Sequence, residues 1–296
     1  MATGSQWIEA ARPKTLPASL APVVMGIGAA IGLQQASIGK SLLALLVALS
    51  FQVGVNFSND YSDGIRGTDS SGKRVGPTRL TGQGLATPKA VLAAAISCYF
   101  LAAISGLGLC IWSGSYLLIL LGALAVLAAW FYTGGKHPYG YLPGISELMI
   151  FAFFGLLATE GTIWVQTASL PWRTWAAASG IGLLSCALLL VNNLRDIAGD
   201  RQSGKNTLAV KLGDKTSRYL FAIYLYGALI LGVVSFNLRW IAIVFGVVMA
   251  ILMSLAMATV LRGASGKELI KTLKQVGQIT LIYGVAIGLG WAYLGL

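Results

Sequence analysis

Long apolar stretches separated by short polar connections dominate the sequence. A hydrocarbon core about 30 Å thick requires about 20 apolar residues per helix. The stretches that meet this length lie near residues 16–34, 40–59, 88–112, 115–133, 144–166, 174–194, 217–236, 240–261 and 275–295. The pattern therefore predicts an all-α polytopic membrane protein with about nine transmembrane helices, organised as a single domain over residues 1–296.

Composition and charge support this class and set an orientation. Charged residues make up only 10% of the chain, against about 25% in soluble proteins. The net charge of +11 would suggest nucleic acid binding in a soluble domain, but cytoplasmic loops of membrane proteins collect Lys and Arg. Nine spans place all but three of the 21 Lys and Arg residues on the side of the N-terminus. We therefore expect a cytoplasmic N-terminus, a cell (plasma) membrane location and no nucleic acid partner.

Two polar stretches interrupt the apolar pattern, and they resemble each other. The first, residues 56–85, follows the second span, and the second, residues 192–211, follows the sixth span. Both have a Ser-Gly-Lys sequence after the acidic residues, and together they hold half of the ten acidic residues in the chain. Because the stretches follow spans four helices apart, we expect a parallel pseudo-repeat of helices 1–4 and 5–8.

The acidic residues in these stretches have a spacing suited to a divalent cation. Residues three or four positions apart share a helix face, which pairs Asn59 with Asp63 and Asp196 with Asp200. Mg²⁺ prefers oxygen ligands and usually bridges one or two carboxylates to substrate phosphates. Two such clusters facing each other would hold two ions around a diphosphate. The cations available for its remaining oxygens are Lys73, Arg74, Arg79, Lys205 and Lys211, by bidentate contact for Arg and as point charges for Lys.

The two motifs resemble those of the UbiA superfamily of intramembrane aromatic prenyltransferases. Asn59, Asp60 and Asp63 match its first signature, and Asp196, Asp200, Gly204 and Thr207 match its second. Asp69 lies six residues after Asp63 instead of four. That spacing, with the R-V-G-P-x-R segment from Arg74 to Arg79, is similar to the 1,4-dihydroxy-2-naphthoate polyprenyltransferase branch. The similarity extends over nearly the whole chain.

The resemblance implies transfer of a polyprenyl chain from its diphosphate to 1,4-dihydroxy-2-naphthoate, with decarboxylation, giving a demethylmenaquinone in menaquinone biosynthesis. Two Mg²⁺ ions would take up charge as diphosphate leaves. Their implied ligands are Asn59, Asp60, Asp63, Asp69, Asp196 and Asp200. Asp63, Asp196, Asp200 and Tyr132 would be catalytic, with Asp63 also a candidate for drawing the phenol proton. The implied substrate-binding residues are Arg12, Asn59, Lys73, Arg74, Arg79, Asn193 and Lys205, with Arg12 assigned to the acceptor carboxylate.

Two alternatives stay open from the sequence. One is the same chemistry on another acceptor, such as hydroxybenzoate, homogentisate or a tetrapyrrole. The other is a Mg²⁺-dependent lipid or solute transporter with a parallel repeat, although its strong acidic motifs would all lie on one membrane face. Several residues receive no role in either reading. Glu147, Glu160 and His137 are unassigned, and Glu268 among Lys267, Lys271 and Lys274 is interpreted as an exposed helix face.

Overall fold

The computed structural model describes residues 2–67, 78–237 and 239–296, and this part of the chain is helical with no β-strand. Eight of its helical segments are long and apolar enough to cross a membrane, and Leu117–Thr133 is a shorter apolar helix of 17 residues. The predicted class, a multi-pass all-α membrane protein, is confirmed. The helices are α1 (Gly4–Ala10), α2 (Leu16–Gly32), α3 (Ile38–Ile65), α4 (Pro88–Ser113), α5 (Leu117–Thr133), α6 (Ile145–Ile150), α7 (Ala158–Thr167), α8 (Trp172–Gln202), α9 (Leu208–Ser235), α10 (Trp240–Leu261) and α11 (Gly266–Leu294). A π-helical segment, Phe151–Leu157, joins α6 to α7 without a break.

Several helices begin where a polar side chain caps them. Ser37, Thr87 and Thr207 each stand at an N-cap and accept a hydrogen bond from a backbone N–H of the first turn, which satisfies a donor that the helix itself leaves unpaired. The helices that carry the two acidic motifs, α3 and α8, continue well past the end of their apolar runs. Asp60, Asp63, Asp196 and Asp200 therefore lie on the last turns of these helices, at one end of the bundle.

The main core is built where α8 packs against its neighbours. Ile181 and Leu184 of α8, Phe221 of α9, and Tyr283 and Trp291 of α11 belong to one buried cluster, each 0–1% exposed. Conversely, large apolar side chains on α4, α5, α9 and α10 point outward, where the acyl chains of lipid replace water. The most exposed of them include Phe100, Leu117, Ile223 and Ile243.

Helices α2 and α11 approach each other closely through glycines. A Cβ added at Gly28 would lie 2.3 Å from the Gly288 Cα, and one added at Gly284 would lie 2.4 Å from the Ala21 carbonyl oxygen. Small residues permit such approach between membrane helices. The N-terminal segment rests on the same helix, because a Cβ added at Gly277 would lie 3.6 Å from the Lys14 carbonyl oxygen.

Candidate active site

The ends of α3 and α8 enclose a small polar pocket with a volume of about 100 Å³. It brings together residues of both acidic motifs, the segment after α5, the segment after α8, and the segment that leads from residue 78 to α4. Of the residues implied by the sequence, those lining this pocket are Arg12, Asn59, Asp63, Arg79, Tyr132, Asn193, Asp196, Asp200 and Lys205. We call this the motif pocket.

Asp63 lies at the centre of the motif pocket and is 3% exposed. Its Oδ2 lies 3.3 Å from Lys205 Nζ and 4.0 Å from Arg79 Nη2. The hydroxyl of Tyr141 donates to its Oδ1 at 3.1 Å. Lys205 Nζ also lies 4.8 Å from the centroid of the Tyr141 ring, so one cation contacts both the carboxylate and the aromatic face. This cluster links the two motifs.

The second motif places its carboxylates on one face of α8. Asp196 and Asp200 both line the motif pocket, as expected from their spacing of one helical turn. Arg195 donates to both oxygens of Asp196, at 2.8 Å and 2.6 Å, and to the amide oxygen of Asn192 at 2.9 Å. Asp200 is 7% exposed, and its carbonyl accepts from the backbone N–H of Lys205. The turn that brings Lys205 back to the pocket is therefore anchored on Asp200.

Asp60 has a different placement from the one implied by the sequence. Its carboxylate is 1% exposed and accepts backbone N–H groups from Leu80 at 2.7 Å and Thr81 at 2.9 Å. It does not line the motif pocket, because it is turned about 100° around α3 from Asn59. Asp60 thus fixes the segment that carries Arg79, and its role as a metal ligand stays a prediction.

Asn59 and Arg66 connect α3 to the end of α5. The Thr133 hydroxyl donates to Asn59 Oδ1 at 2.8 Å. Arg66 donates to the carbonyls of Thr133 and Gly135, and its guanidinium lies 5.6 Å from the Tyr141 ring centroid. The glycine-rich connection after α5 is therefore held over the pocket, with the Tyr141 ring between the cations of Arg66 and Lys205.

A second, larger cavity of about 1300 Å³ adjoins the motif pocket. Arg12, Asn59, Arg79, Tyr132 and Asn192 line both. Along α8 its wall runs from Arg195 to Ser185, a rise of about 15 Å over ten residues. The inner part of the wall is apolar and aromatic. It includes Phe51, Val55, Ala125, Ala128, Ala129, Met149, Ile150, Phe153, Phe154, Leu188 and Leu189.

Two segments of unusual backbone geometry shape the wall of this cavity. The π-helical segment widens the helix at Phe153 and Phe154, which both line the cavity, and such segments are frequent at functional sites. At the other side, Arg12 adopts a left-handed conformation with φ of 55°. Asn56 Nδ2 donates to the Ala11 carbonyl at 2.8 Å and to the Thr15 hydroxyl at 3.2 Å, so α3 holds the turn that directs Arg12 toward both cavities.

The oxygen donors of the motif pocket suit Mg²⁺. Asn59, Asp63, Asp196 and Asp200 line one small pocket, and Mg²⁺ needs only one or two carboxylates when phosphates and waters complete its shell. Among the described residues, no three His, Cys, Asp or Glu side chains are grouped closely enough to form a metal site by themselves. The carboxylate and amide oxygens of the motif pocket are the ligand type that Mg²⁺ prefers.

The structure adds contacts that the sequence did not indicate. Tyr141 and Thr133 contact the motif residues, yet they lie in a connection and at a helix end that carry no acidic signature. Arg66, in the first polar stretch, adds the contacts to the end of α5. Burial raises the pKa of Tyr139, whose ring lies 5.6 Å from that of Tyr132. Asp69, Lys73 and Arg74 lie outside the described residues.

The residues left without a role have structural contacts. Glu147 accepts the backbone N–H of Gly144 at 3.1 Å and thereby caps the start of α6. Glu160 is 5% exposed and accepts from the Thr174 hydroxyl at 2.9 Å, which joins α7 to α8. His137 is exposed in the connection after α5. None of these three residues lines the motif pocket.

A membrane-embedded helical bundle with a carboxylate-rich pocket opening into an apolar cavity is the arrangement of an intramembrane transferase. Residues 19–293 match the model of the UbiA prenyltransferase family, and the chain belongs to this family. It is 46% identical over 291 residues to a 1,4-dihydroxy-2-naphthoate octaprenyltransferase from Mycobacterium tuberculosis, covering 97% of each chain. A protein of the same description from Escherichia coli is 37% identical, covering 76% of this chain and 74% of that protein. A solved UbiA homologue from Archaeoglobus fulgidus, bound to DMAPP and Mg²⁺, shares the fold with a TM-score of 0.70 at 15% identity, over 95% of this chain and 98% of that one.

Proposed function

We propose that the protein transfers a polyprenyl chain from polyprenyl diphosphate to 1,4-dihydroxy-2-naphthoate, with loss of diphosphate and carbon dioxide. The bond between the allylic carbon and the diphosphate oxygen breaks as a ring carbon bonds to the allylic carbon. The bond from the ring to the carboxylate then breaks, and its electron pair returns to the ring as carbon dioxide leaves. Because no oxidant takes part, the ring stays in its dihydroxy form and the demethylmenaquinone is released as its quinol. The observation that carries the proposal is the contact of a carboxylate and cation pocket with a large apolar cavity, in a chain closely similar to naphthoate octaprenyltransferases.

In this proposal, the diphosphate binds in the motif pocket. Arg79 and Lys205, each 8% exposed, provide positive charge close to Asp63, and Arg12 reaches the same pocket. Charge-assisted hydrogen bonds from buried cations are stronger than those at the surface. Lys73 and Arg74 are proposed to contribute from the preceding segment. Asn193, which also lines the pocket, would bind the same group.

Mg²⁺ is the proposed cofactor, with two ions per site. Asn59, Asp63, Asp196 and Asp200 would hold it, with Asp69 as a further candidate. When bound, the metal neutralises charge that develops on the leaving diphosphate. Asp63 would bind the metal in place of Lys205, and the Lys205 ammonium would then bind a phosphate oxygen.

The prenyl chain and the ring meet in the larger cavity. Phe153, Phe154 and Leu189 keep water away from an allylic cation, and aromatic faces stabilise positive charge. Tyr132 lines both cavities, so its ring stands where the diphosphate and the allylic carbon separate. The proposal places this end of the bundle on the cytoplasmic side of the plasma membrane, supported by the basic residues concentrated there.

The proposal is tested with purified protein in nanodiscs, supplied with octaprenyl diphosphate, 1,4-dihydroxy-2-naphthoate and Mg²⁺. Lipid products are followed by mass spectrometry, with and without EDTA. We expect a demethylmenaquinol mass that disappears on chelation and returns when excess Mg²⁺ is added. Titration of Mg²⁺ in the presence of a non-hydrolysable donor analogue should give about two ions per chain, the number expected for a paired cluster site.

Two other outcomes would each contradict a different part of the proposal. A product with hydroxybenzoate or homogentisate, and none with the naphthoate, would leave the family chemistry in place and replace the acceptor. Movement of a labelled lipid or solute across vesicles without release of diphosphate would instead support a transporter.

A further inference from the structure

The first turns of α11 present a row of lysines to the larger cavity. Lys267, Lys271 and Lys274 are spaced at i, i+4 and i+7, so they share one helix face. All three are exposed side chains that line the cavity. On the opposite face, Leu269 and Val276 are 1% and 0% exposed and belong to the main core. The packing of α11 therefore turns the charged face toward the cavity mouth.

The N-terminal segment adds a fourth lysine to this mouth. Lys14 is exposed and lines the same cavity. A Cβ added at Gly277 would lie 3.6 Å from the Lys14 carbonyl oxygen, so the backbone of Lys14 rests against α11 one turn beyond Lys274. We call Lys14, Lys267, Lys271 and Lys274 the lysine mouth.

Charge is divided unequally between the two cavities. Among the described residues that line the larger cavity, Glu9 is the only carboxylate, and its Oε2 accepts from the Thr78 hydroxyl at 2.6 Å. The carboxylates of Asp63, Asp196 and Asp200 line the motif pocket instead. Clefts lined by one sign of charge with low-dielectric walls raise the local concentration of the opposite ion and accelerate its arrival. The mouth of the larger cavity thus favours an anion.

We infer that the lysine mouth captures the carboxylate of the aromatic acceptor and guides the ring into the larger cavity. The inference rests on the proposed function, in which the prenyl donor is a lipid and the acceptor is a water-soluble aromatic acid. The acceptor must therefore enter from water, and the lysine mouth is the polar rim of a cavity whose deeper wall is apolar. The exposed lysine face of α11 is thereby a specificity element for acidic acceptors.

The test compares two triple variants that remove the same charge from the same end of the bundle. The first is K267Q/K271Q/K274Q. The control is K89Q/K136Q/K215Q, which changes exposed lysines that line neither cavity. Both are assayed in nanodiscs of zwitterionic lipid for KM toward each substrate, and for binding of 1,4-dihydroxy-2-naphthoate and of 1,4-dihydroxynaphthalene, which lacks the carboxylate.

For the α11 variant we expect kcat/KM for the naphthoate to fall about 10-fold at low ionic strength, with the deficit shrinking in high salt. The KM for the prenyl diphosphate and the affinity for dihydroxynaphthalene should stay unchanged, as should every parameter of the control. Equal weakening of both naphthalene ligands, or an unchanged KM for the naphthoate, would each overturn the inference. If the wild-type protein makes no product from the naphthoate, the proposed function fails, and the binding comparison still reports on the lysines.

Discussion

Lys205 and Asp63 form an ion pair of 3.3 Å that joins the two acidic motifs across the bundle. Both side chains are buried, at 8% and 3% exposure, and pairing lowers the cost of holding their charges away from water. The pair holds the lysine in the motif pocket, where the diphosphate and metal are proposed to bind. Substrate binding can therefore proceed by exchange of partners within a preformed pocket.

Replacement of Asp63 or Asp196 by Asn should abolish turnover while the protein still inserts and folds. Each change removes a negative charge from the motif pocket and, at Asp63, leaves Lys205 without its partner. We expect kcat to fall about 100-fold or more, since metal stabilisation of a leaving group contributes several kcal/mol. The measurement is product formation at saturating substrates, with folding checked by size-exclusion chromatography. Asp214→Asn is the matched control, because Asp214 pairs with Arg218 and its side chain is 60% exposed. Near-normal rates in either pocket variant would rule out the two-motif site.

Tyr141→Phe removes the hydroxyl that donates to Asp63 and keeps the ring that contacts Lys205. A hydrogen bond to a charged group contributes about 1.5–3 kcal/mol, so we expect kcat to fall about 10-fold. Tyr141→Ala should cost more, because the ring that lies between the cations is also lost. Steady-state kinetics of both variants test this, with Tyr219→Phe as the control, since Tyr219 is 56% exposed on α9. A Phe variant as slow as the Ala variant would assign the whole effect to the hydroxyl.

Asp60→Asn should impair donor binding and leave the Mg²⁺ dependence unaltered. The amide cannot accept both N–H groups that the carboxylate accepts, so one donor of Leu80 or Thr81 is left buried without its partner, at a cost of about 1–3 kcal/mol. The displaced segment carries Arg79. We therefore expect a KM for prenyl diphosphate raised about 10-fold, as in Arg79→Ala, at an unchanged Mg²⁺ concentration for half-maximal activity. A rightward shift of the Mg²⁺ titration would return Asp60 to the metal ligands.

The membrane spans could be predicted because lipid imposes both length and composition on a helix. The predicted spans near 40–59 and 174–194 lie within the longer helices Ile38–Ile65 and Trp172–Gln202. The hydropathy pattern missed the C-terminal ends of both helices. Polar residues lower the mean hydropathy there, although the hydrogen-bonded helix continues. The start of α9 also differs from the prediction. The helix begins at Leu208 and departs from helical geometry at Gly213, with φ of 78°, whereas the predicted span begins near residue 217.

Helical spacing identified the pocket side chains that lie one turn apart, such as Asp196 and Asp200. It did not indicate the contacts of Asp60, whose hydrogen-bond partners lie 20 and 21 residues further along the chain. The lysines of α11 illustrate a second limit. Their spacing is visible in the sequence, but the side toward which they point is set by the packing of α11 against α2 and the N-terminal turn. The side toward which a charged helix face points depends on tertiary packing.

The contact between α2 and α11 should be intolerant of a single added methyl group. In Gly28→Ala the new Cβ would lie 2.3 Å from the Gly288 backbone, so the helices must separate, and overpacking of this kind costs about 1–3 kcal/mol. Gly108→Ala is the matched control, because a Cβ there meets nothing within 4 Å. Thermal unfolding in detergent should show a lower midpoint for Gly28→Ala and an unchanged midpoint for Gly108→Ala. An unchanged melting temperature would mean that α2 and α11 are packed less closely than the glycine contact indicates.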